Sequence, residues 1–300
     1  LPGLTSNIDR QYVQLLQAIE QDGVPSADRT GTGTRSIFGA QITADISNYR
    51  LPAIGVRKVA PRIAFEELMF MLNGKTQTQE LEDKNVRIWS GNTNKEFQEK
   101  VGLGHLEEGD FGRMYGVQLR RFTSDSAVGY FDQLKYLVNE IKTNPTSRRI
   151  IATHYNPAEA DQGVLFPCHI TTQFNVDPDT NSLDTLFWMR SSDVGYGLPY
   201  NLMYYAFFAF LVCKLTGYQP RKLVYQSGDC HIYNDQLNSG MIDYMINNFQ
   251  QQTGPAYGPT VTIANDFETL EEMLATEWTD VFVDGYNPYP DFKNKPGMAV

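Results

Sequence analysis

Cys168, in the string LFPCHI, is the residue of this sequence best suited to covalent chemistry. Cysteine is the most nucleophilic side chain near neutral pH, because some thiolate is always present and nearby cations increase it. His169 follows directly, yet adjacent side chains on an extended strand face opposite ways, so adjacency does not make it the base for the thiol. Taken alone, Cys168 reads more simply as a small buried apolar residue.

Arginines shift that balance. Ser147–Arg148–Arg149 leads into an apolar strand, Arg190–Ser191 follows another, and Arg29 lies in DRTGTGTRSIFG. Guanidiniums collected at strand ends are candidates for gripping a phosphate. The glycines of that last string form neither a G-x-G-x-x-G fingerprint nor a P-loop with its lysine, so a dinucleotide or ATP site has little support. His231 and Tyr233, in GDCHIY, are two apart and share one face of an extended strand, where they can address a sugar hydroxyl together. Glu67 interrupts the apolar helical run RIAFEELMFMLNG. It lies either on an exposed face or inside, where a carboxyl needs a partner or a shifted pKa. With four histidines and no H-E-x-x-H or paired C-x-x-C, a metal centre is not expected.

The elements that must position these groups are legible in outline. Apolar residues at helical spacing predict helices over Asp9–Asp22 and from Arg62 to a stop at Gly74. RRIIATHYN, CHITTQFNV and LDTLFWMRS read as strands, the last two joined as a hairpin through PDTNS. Leu202–Cys213 reads as a buried helix, shorter than the roughly 18 residues of a membrane span. KLVYQSGDCHIY predicts a strand ending near Asp229, and a helix is expected over Asn234–Asn248. The sum is an α+β domain with a mixed sheet. No Pro/Gly-rich linker divides it, so one domain over residues 1–300 is expected.

Composition narrows the function. The apolar share of 41% and charged share of 20% are those of an ordinary globular chain. A formal net charge of −10 argues against a general nucleic-acid sheath, but not against a small anionic substrate held by local arginines. Three cysteines make a poor disulfide framework, so a reducing, cytoplasmic setting is expected, with neither a membrane nor an obligatory nucleic acid as partner.

Taken together, DRTGTGTRSIFG, EELMFMLNG, RIWSGN, EEGDFGRMYGVQ, NPTSRR, LFPCH, RSSDVGYGLPYN, GDCHIY and the terminal MAV resemble the thymidylate synthase family, in the family's own order from position 28 to 300. The resemblance implies an α+β sandwich around a mixed sheet and a symmetric homodimer with shared active sites. It also implies reductive methylation of dUMP, in preference to dCMP, with 5,10-methylenetetrahydrofolate as cosubstrate and no metal. Carried over residue by residue, Cys168 is the nucleophile. Arg29, Arg190 and Ser191 hold the phosphate from the same subunit, and Arg148 and Arg149 reach it from the other. Asn201 reads the uracil edge, and His231 and Tyr233 bind the sugar. Glu67, Tyr115 and His169 belong to the polar network around the pyrimidine. Trp89, Asn92, Leu165, Asp193, Gly197 and Val300 lie on the folate side, with Val300 in a closing tail at about 285–300.

Some positions depart from the family. Arg113 replaces the usual proline of G-P-x-Y-G, Leu119 replaces the tryptophan of Q-W-R, and Gly195–Tyr196 replaces a large apolar pair. H-x-Y-x-N-H ends here as Asn234–Asp235–Gln236, and the tail PDFKNKPGMAV is long. These changes touch the folate pocket and its closure. They leave a rival open, a dUMP hydroxymethylase in which water replaces hydride at the last step.

Overall fold

The computed structural model describes residues 7–124, 127, 129–252, 258–294 and 296–297. A six-stranded mixed sheet organises it: β1 (Val24–Ser26), β2 (Thr34–Asp45), β3 (Ile151–Thr153), β4 (His169–Asp177), β5 (Ser182–Asp193) and β6 (Gln219–Tyr233). The spatial order is β1-β2-β6-β5-β4-β3. Neighbours run antiparallel except β5 and β6, which are parallel. The expected α+β architecture and the β4–β5 hairpin are both present.

A parallel pair needs a crossover, and the long apolar helix supplies it. α4 (Gly197–Thr216) joins β5 to β6; the other principal helices are α1 (Ile8–Asp22), α2 (Pro61–Leu72), α3 (Gln133–Thr143) and α5 (Met241–Gln251). At 20 residues α4 is longer than the Leu202–Cys213 run, and by length and composition it could cross a membrane, yet 83% of its apolar window is buried within the protein. A helix apolar all round belongs in the centre of a core. Phe187 of β5 stacks on Tyr205 at 4.0 Å, Phe174 of β4 meets Phe208 edge-on at 5.3 Å, and Phe65 of α2 meets Phe207 at 5.4 Å.

The other helices follow their sequence signals. Asn7 caps α1 by accepting from the Arg10 amide, and Tyr12, Val13, Leu16 and Ile19 form its buried stripe. Pro61 opens α2, where the missing N–H costs nothing. Two boundaries differ from expectation. β6 continues past Asp229 to Tyr233 because β2 and β5 pair with it on both sides up to that end. The expected Asn234–Asn248 helix is two pieces, Asn234–Asn238 and α5, broken at Gly240, which takes a left-handed φ of 79°.

Strand direction gathers the chemistry at one end of the sheet. β5 and β6 finish there, while β2 and β4 begin there. The Arg29 loop, Cys168, the Arg190–Asp193 segment and the His231–Tyr233 pair therefore converge, although about two thirds of the chain separates the first from the last.

Candidate active site

Cys168 immediately precedes β4 and is half-buried. Its backbone N–H donates to Tyr115 Oη at 3.1 Å, and its carbonyl accepts from the Arg190 N–H at 2.9 Å. Arg190 also donates from Nε to Pro167 O at 2.9 Å and from Nη2 to Phe166 O at 2.8 Å. It therefore braces the loop that carries the nucleophile and places a cation beside it. Burial pushes the Cys168 thiol above its usual pKa, and the charges of Arg190 and Arg29 oppose that rise. Arg29 itself is exposed, with its guanidinium 5.7 Å from the Phe97 ring.

Tyr115 takes a positive φ of 36° at the start of the short helix Gly116–Arg120, a strained backbone for a bulky residue. Its ring packs at 5.9 Å from Trp89 and at 5.1 Å from His169. Nδ1 of His169 pairs with Tyr205 Oη at 2.8 Å, and burial lowers the imidazole pKa to about 3, so the ring is neutral at physiological pH. A bulge between His169 and Thr171 opposite β5 sets its direction. Neighbouring His154 bonds Thr172 at 2.9 Å, and burial lowers its pKa to about 4.

Glu67 does not lie on an open helix face. Its Oε1 accepts from Trp89 Nε1 at 3.0 Å, and burial raises the carboxyl to about 7 against the lowering effect of that bond. Glu67, Trp89, Tyr115, His154, His169, Tyr204 and Tyr205 line a cavity of about 20 Å³. That is room for one ordered water. A carboxyl poised near neutrality beside such a space can take or give a proton through it.

Several residues singled out in the sequence lie along the rim. Ser191 and Asp193 pair with Asp229 and His231 across the parallel ladder. The rings of His231 and Tyr233 lie 5.1 Å apart, and His231 Nδ1 is fixed by Asp229 Oδ1 at 2.7 Å. Asn201, in the first turns of α4, has its Nδ2 against Met189 Sδ at 3.4 Å, a weak acceptor that a better one could displace. A Cβ on Gly197 would sit 3.7 Å from Asp193 and 3.8 Å from Asn201, so this glycine lies between those two side chains. Asn92 is buried, and its Nδ2 has no hydrogen-bond partner among the described residues, a donor that a bound acceptor would satisfy. Leu165 is half-buried against the core edge. These residues suit a polar ring system lying against Trp89 and Leu165.

Two expectations reach beyond the described residues of one subunit. Arg148 and Arg149 are exposed and precede β3, whose Ile151 stands opposite Gln173, four residues into β4. That displacement is about 13 Å along the strands, away from Cys168. Val300 lies outside the described residues. Tyr204, Tyr205 and His154 were missed by sequence reasoning, since their types look like core or strand filler until the fold brings them to Glu67.

A thiol within reach of the Arg190 and Arg29 charges, bonded through its backbone to the Tyr115 that borders the Glu67 cavity, has the chemistry for covalent work on a small anion. A profile of the thymidylate synthase family matches residues 10–299, and the chain belongs to that family. It is 36% identical to thymidylate synthase of Agaricus bisporus, covering 95% of this chain and 97% of that protein. It is 34% identical to the Homo sapiens thymidylate synthase, over 97% of this chain and 90% of that one. Against the bifunctional dihydrofolate reductase-thymidylate synthase of Leishmania major it is 37% identical over 97% of its own length, but spans only 55% of that longer protein.

Proposed function

We propose that the chain is a methyltransferase that converts dUMP to dTMP, with 5,10-methylenetetrahydrofolate as carbon and hydride donor. The observation that carries this reading is the held Cys168 thiol, with Arg190 and Arg29 supplying positive charge around it. Cys168 adds to C6 of the uracil ring, which makes C5 nucleophilic and puts negative charge on O4. Asn201 and the polar side chains of Tyr115, His169 and Glu67, each fixed by its own hydrogen bond, face that charge. Arg29, Arg190 and Ser191 hold the phosphate, and His231 and Tyr233 hold the sugar. Trp89, Asn92, Leu165, Asp193 and Gly197 receive the folate, which supplies the one-carbon unit and the hydride. Glu67 moves protons through the adjoining cavity, and expulsion of Cys168 completes the turnover.

The synthase names of the relatives favour hydride over water at the last step. A single incubation of dUMP with methylenetetrahydrofolate tests it. Methylated nucleotide should form one-for-one with dihydrofolate. A product heavier by one oxygen, with tetrahydrofolate unoxidised, would hand the assignment to the hydroxymethylase.

The working unit in this reading is one catalytic domain per chain, assembled as a cytoplasmic homodimer, with the tail at about 285–300 closing each site. One sheet face supports the assembly. The helices cover the side bearing Phe187 and Tyr225, while the opposite side carries Ile151 and Trp188, 44% and 39% exposed, beside half-buried Leu186 and Val224. A second copy with the same apolar face is the simplest cover. Arg190 alternates onto this face and Arg148–Arg149 border it, so face-to-face packing would bring one copy's arginines to the other's phosphate. Mixing Cys168→Ala with an Arg148→Ala/Arg149→Ala double variant should restore one intact site per heterodimer, up to about half of the wild-type activity per dimer. Verified heterodimers without recovered activity would show that the sites are not shared.

A further inference from the structure

Asp193 is held by a residue that the family pattern does not have. Gln236 stands where H-x-Y-x-N-H places its second histidine. It is 2% exposed, and its Nε2 lies 3.1 Å from Asp193 Oδ1 and 3.2 Å from Oδ2, bridging both carboxylate oxygens. The Tyr196 N–H donates to Oδ1 at 3.1 Å from the other side. The amide can face only one way, because a reversed amide would put its oxygen against the carboxylate. Oε1 is thereby left buried without a hydrogen-bond partner among the described residues. An unmet buried acceptor is costly, and an apolar side chain of the same size would avoid it. The residue is retained at that cost, and what it supplies is the donor to Asp193.

A second departure makes the arrangement possible. Gly195 lies under Gln236, and a Cβ there would come within 2.2 Å of Oε1 and 2.9 Å of the amide carbon. A larger residue at 195, as the family pattern has, would push the amide off the carboxylate. The two departures form a complementary pair.

We propose that Gln236 is a positioning residue for Asp193, fixing the carboxylate in the orientation that receives the reduced folate, and that Gly195 provides the space this requires. The proposal rests on the folate-side reading of Asp193 given above. The Gln236–Asp193 contact sits at the site end of β5 and touches neither Cys168 nor the phosphate arginines; Asp193 meets sugar-side His231 through the backbone ladder, which a side-chain change at 236 leaves in place, so the larger effect falls on the folate.

Gln236→Leu keeps the volume and removes the donor. Loss of the orphaned oxygen favours folding and loss of the donor to the Asp193 carboxylate opposes it, so the melting temperature should stay within about a few degrees of wild type. Binding of dihydrofolate to the enzyme–dUMP complex, followed by tryptophan fluorescence, should weaken by about tenfold or more, with the KM for methylenetetrahydrofolate rising in step. The Kd for dUMP should stay within about twofold. Gly195→Ala should reproduce the folate defect by displacing the amide, and the Gly195→Ala/Gln236→Leu double variant should be no worse than Gln236→Leu alone. Gln236→His, which restores a donor, should recover most of the affinity. Unchanged folate binding in Gln236→Leu, or defects that add fully in the double variant, would overturn the proposal. Wild-type protein that does not turn over dUMP would instead defeat the reading of the function itself.

Discussion

Cys168→Ala should abolish turnover of dUMP, by at least about four orders of magnitude, while binding of the nucleotide persists. In the proposed reaction the thiol forms and later breaks the bond to the ring, and an alanine can do neither. Grip on the nucleotide is a separate matter. Arg190 reaches the loop through Phe166 and Pro167 carbonyls and through the Cys168 carbonyl, all backbone atoms that an alanine preserves. The Tyr115 contact likewise uses the backbone N–H of residue 168. The loop should keep its shape, and equilibrium binding of dUMP should report it. Turnover within tenfold of wild type would eliminate the covalent route.

Glu67→Gln should produce the second large effect, and in two opposite directions. The exchange keeps an oxygen to accept from Trp89 Nε1 but removes the proton that the carboxyl can exchange with the neighbouring cavity. A loss of about 10²- to 10⁴-fold in kcat is expected from deleting a general acid–base group. Stability should move the other way. Burial raises the Glu67 pKa from 4.5 to about 7, so the carboxyl's contribution is fully present below pH 4.5 and is lost as pH rises through 7. The glutamine never ionises. At pH 8 the variant should therefore exceed wild type by about 2 kcal/mol, allowing for partial solvent access, and the gain should disappear near pH 4.5. Denaturant melts at the two pH values decide it. Equal stability at pH 8 would mean that Glu67 is not buried enough to resist ionisation.

How much of this was readable beforehand depended on whether the signal was local. The stripe of α1, the stop of α2 at Gly74 and the turn between β4 and β5 are written in neighbouring residues, and each was visible in the sequence. The break at Gly240 was also local, as a Ser–Gly pair inside an apolar pattern, but the helical spacing around it masked the punctuation. The end of β6 was hidden for a different reason. Polar residues Asp229 and His231 look like a strand finishing, yet pairing with β2 and β5 holds the extended backbone to Tyr233. Motif residues such as Cys168, Arg190 and Asn201 were identified through the family pattern. Tyr205 and His154 were not, and Gln236 showed only as a departure from that pattern, because each matters through a partner that only the fold brings near: His169, the Glu67 cavity and Asp193.

The crossover α4 binds the fate of the site to the fate of the core. Arg190, Ser191 and Asp193 stand on the strand before this helix, and His231 and Tyr233 on the strand after it. Those strands are neighbours in a fold whose crossover is the most apolar segment of the chain, so the proposed phosphate–sugar site exists only where that helix is enclosed. A nucleotide that binds only the completed arrangement is then also a folding ligand. At a hundred times its Kd it would deepen the native well by about 2.7 kcal/mol, and a chain short of substrate would stand correspondingly closer to unfolding.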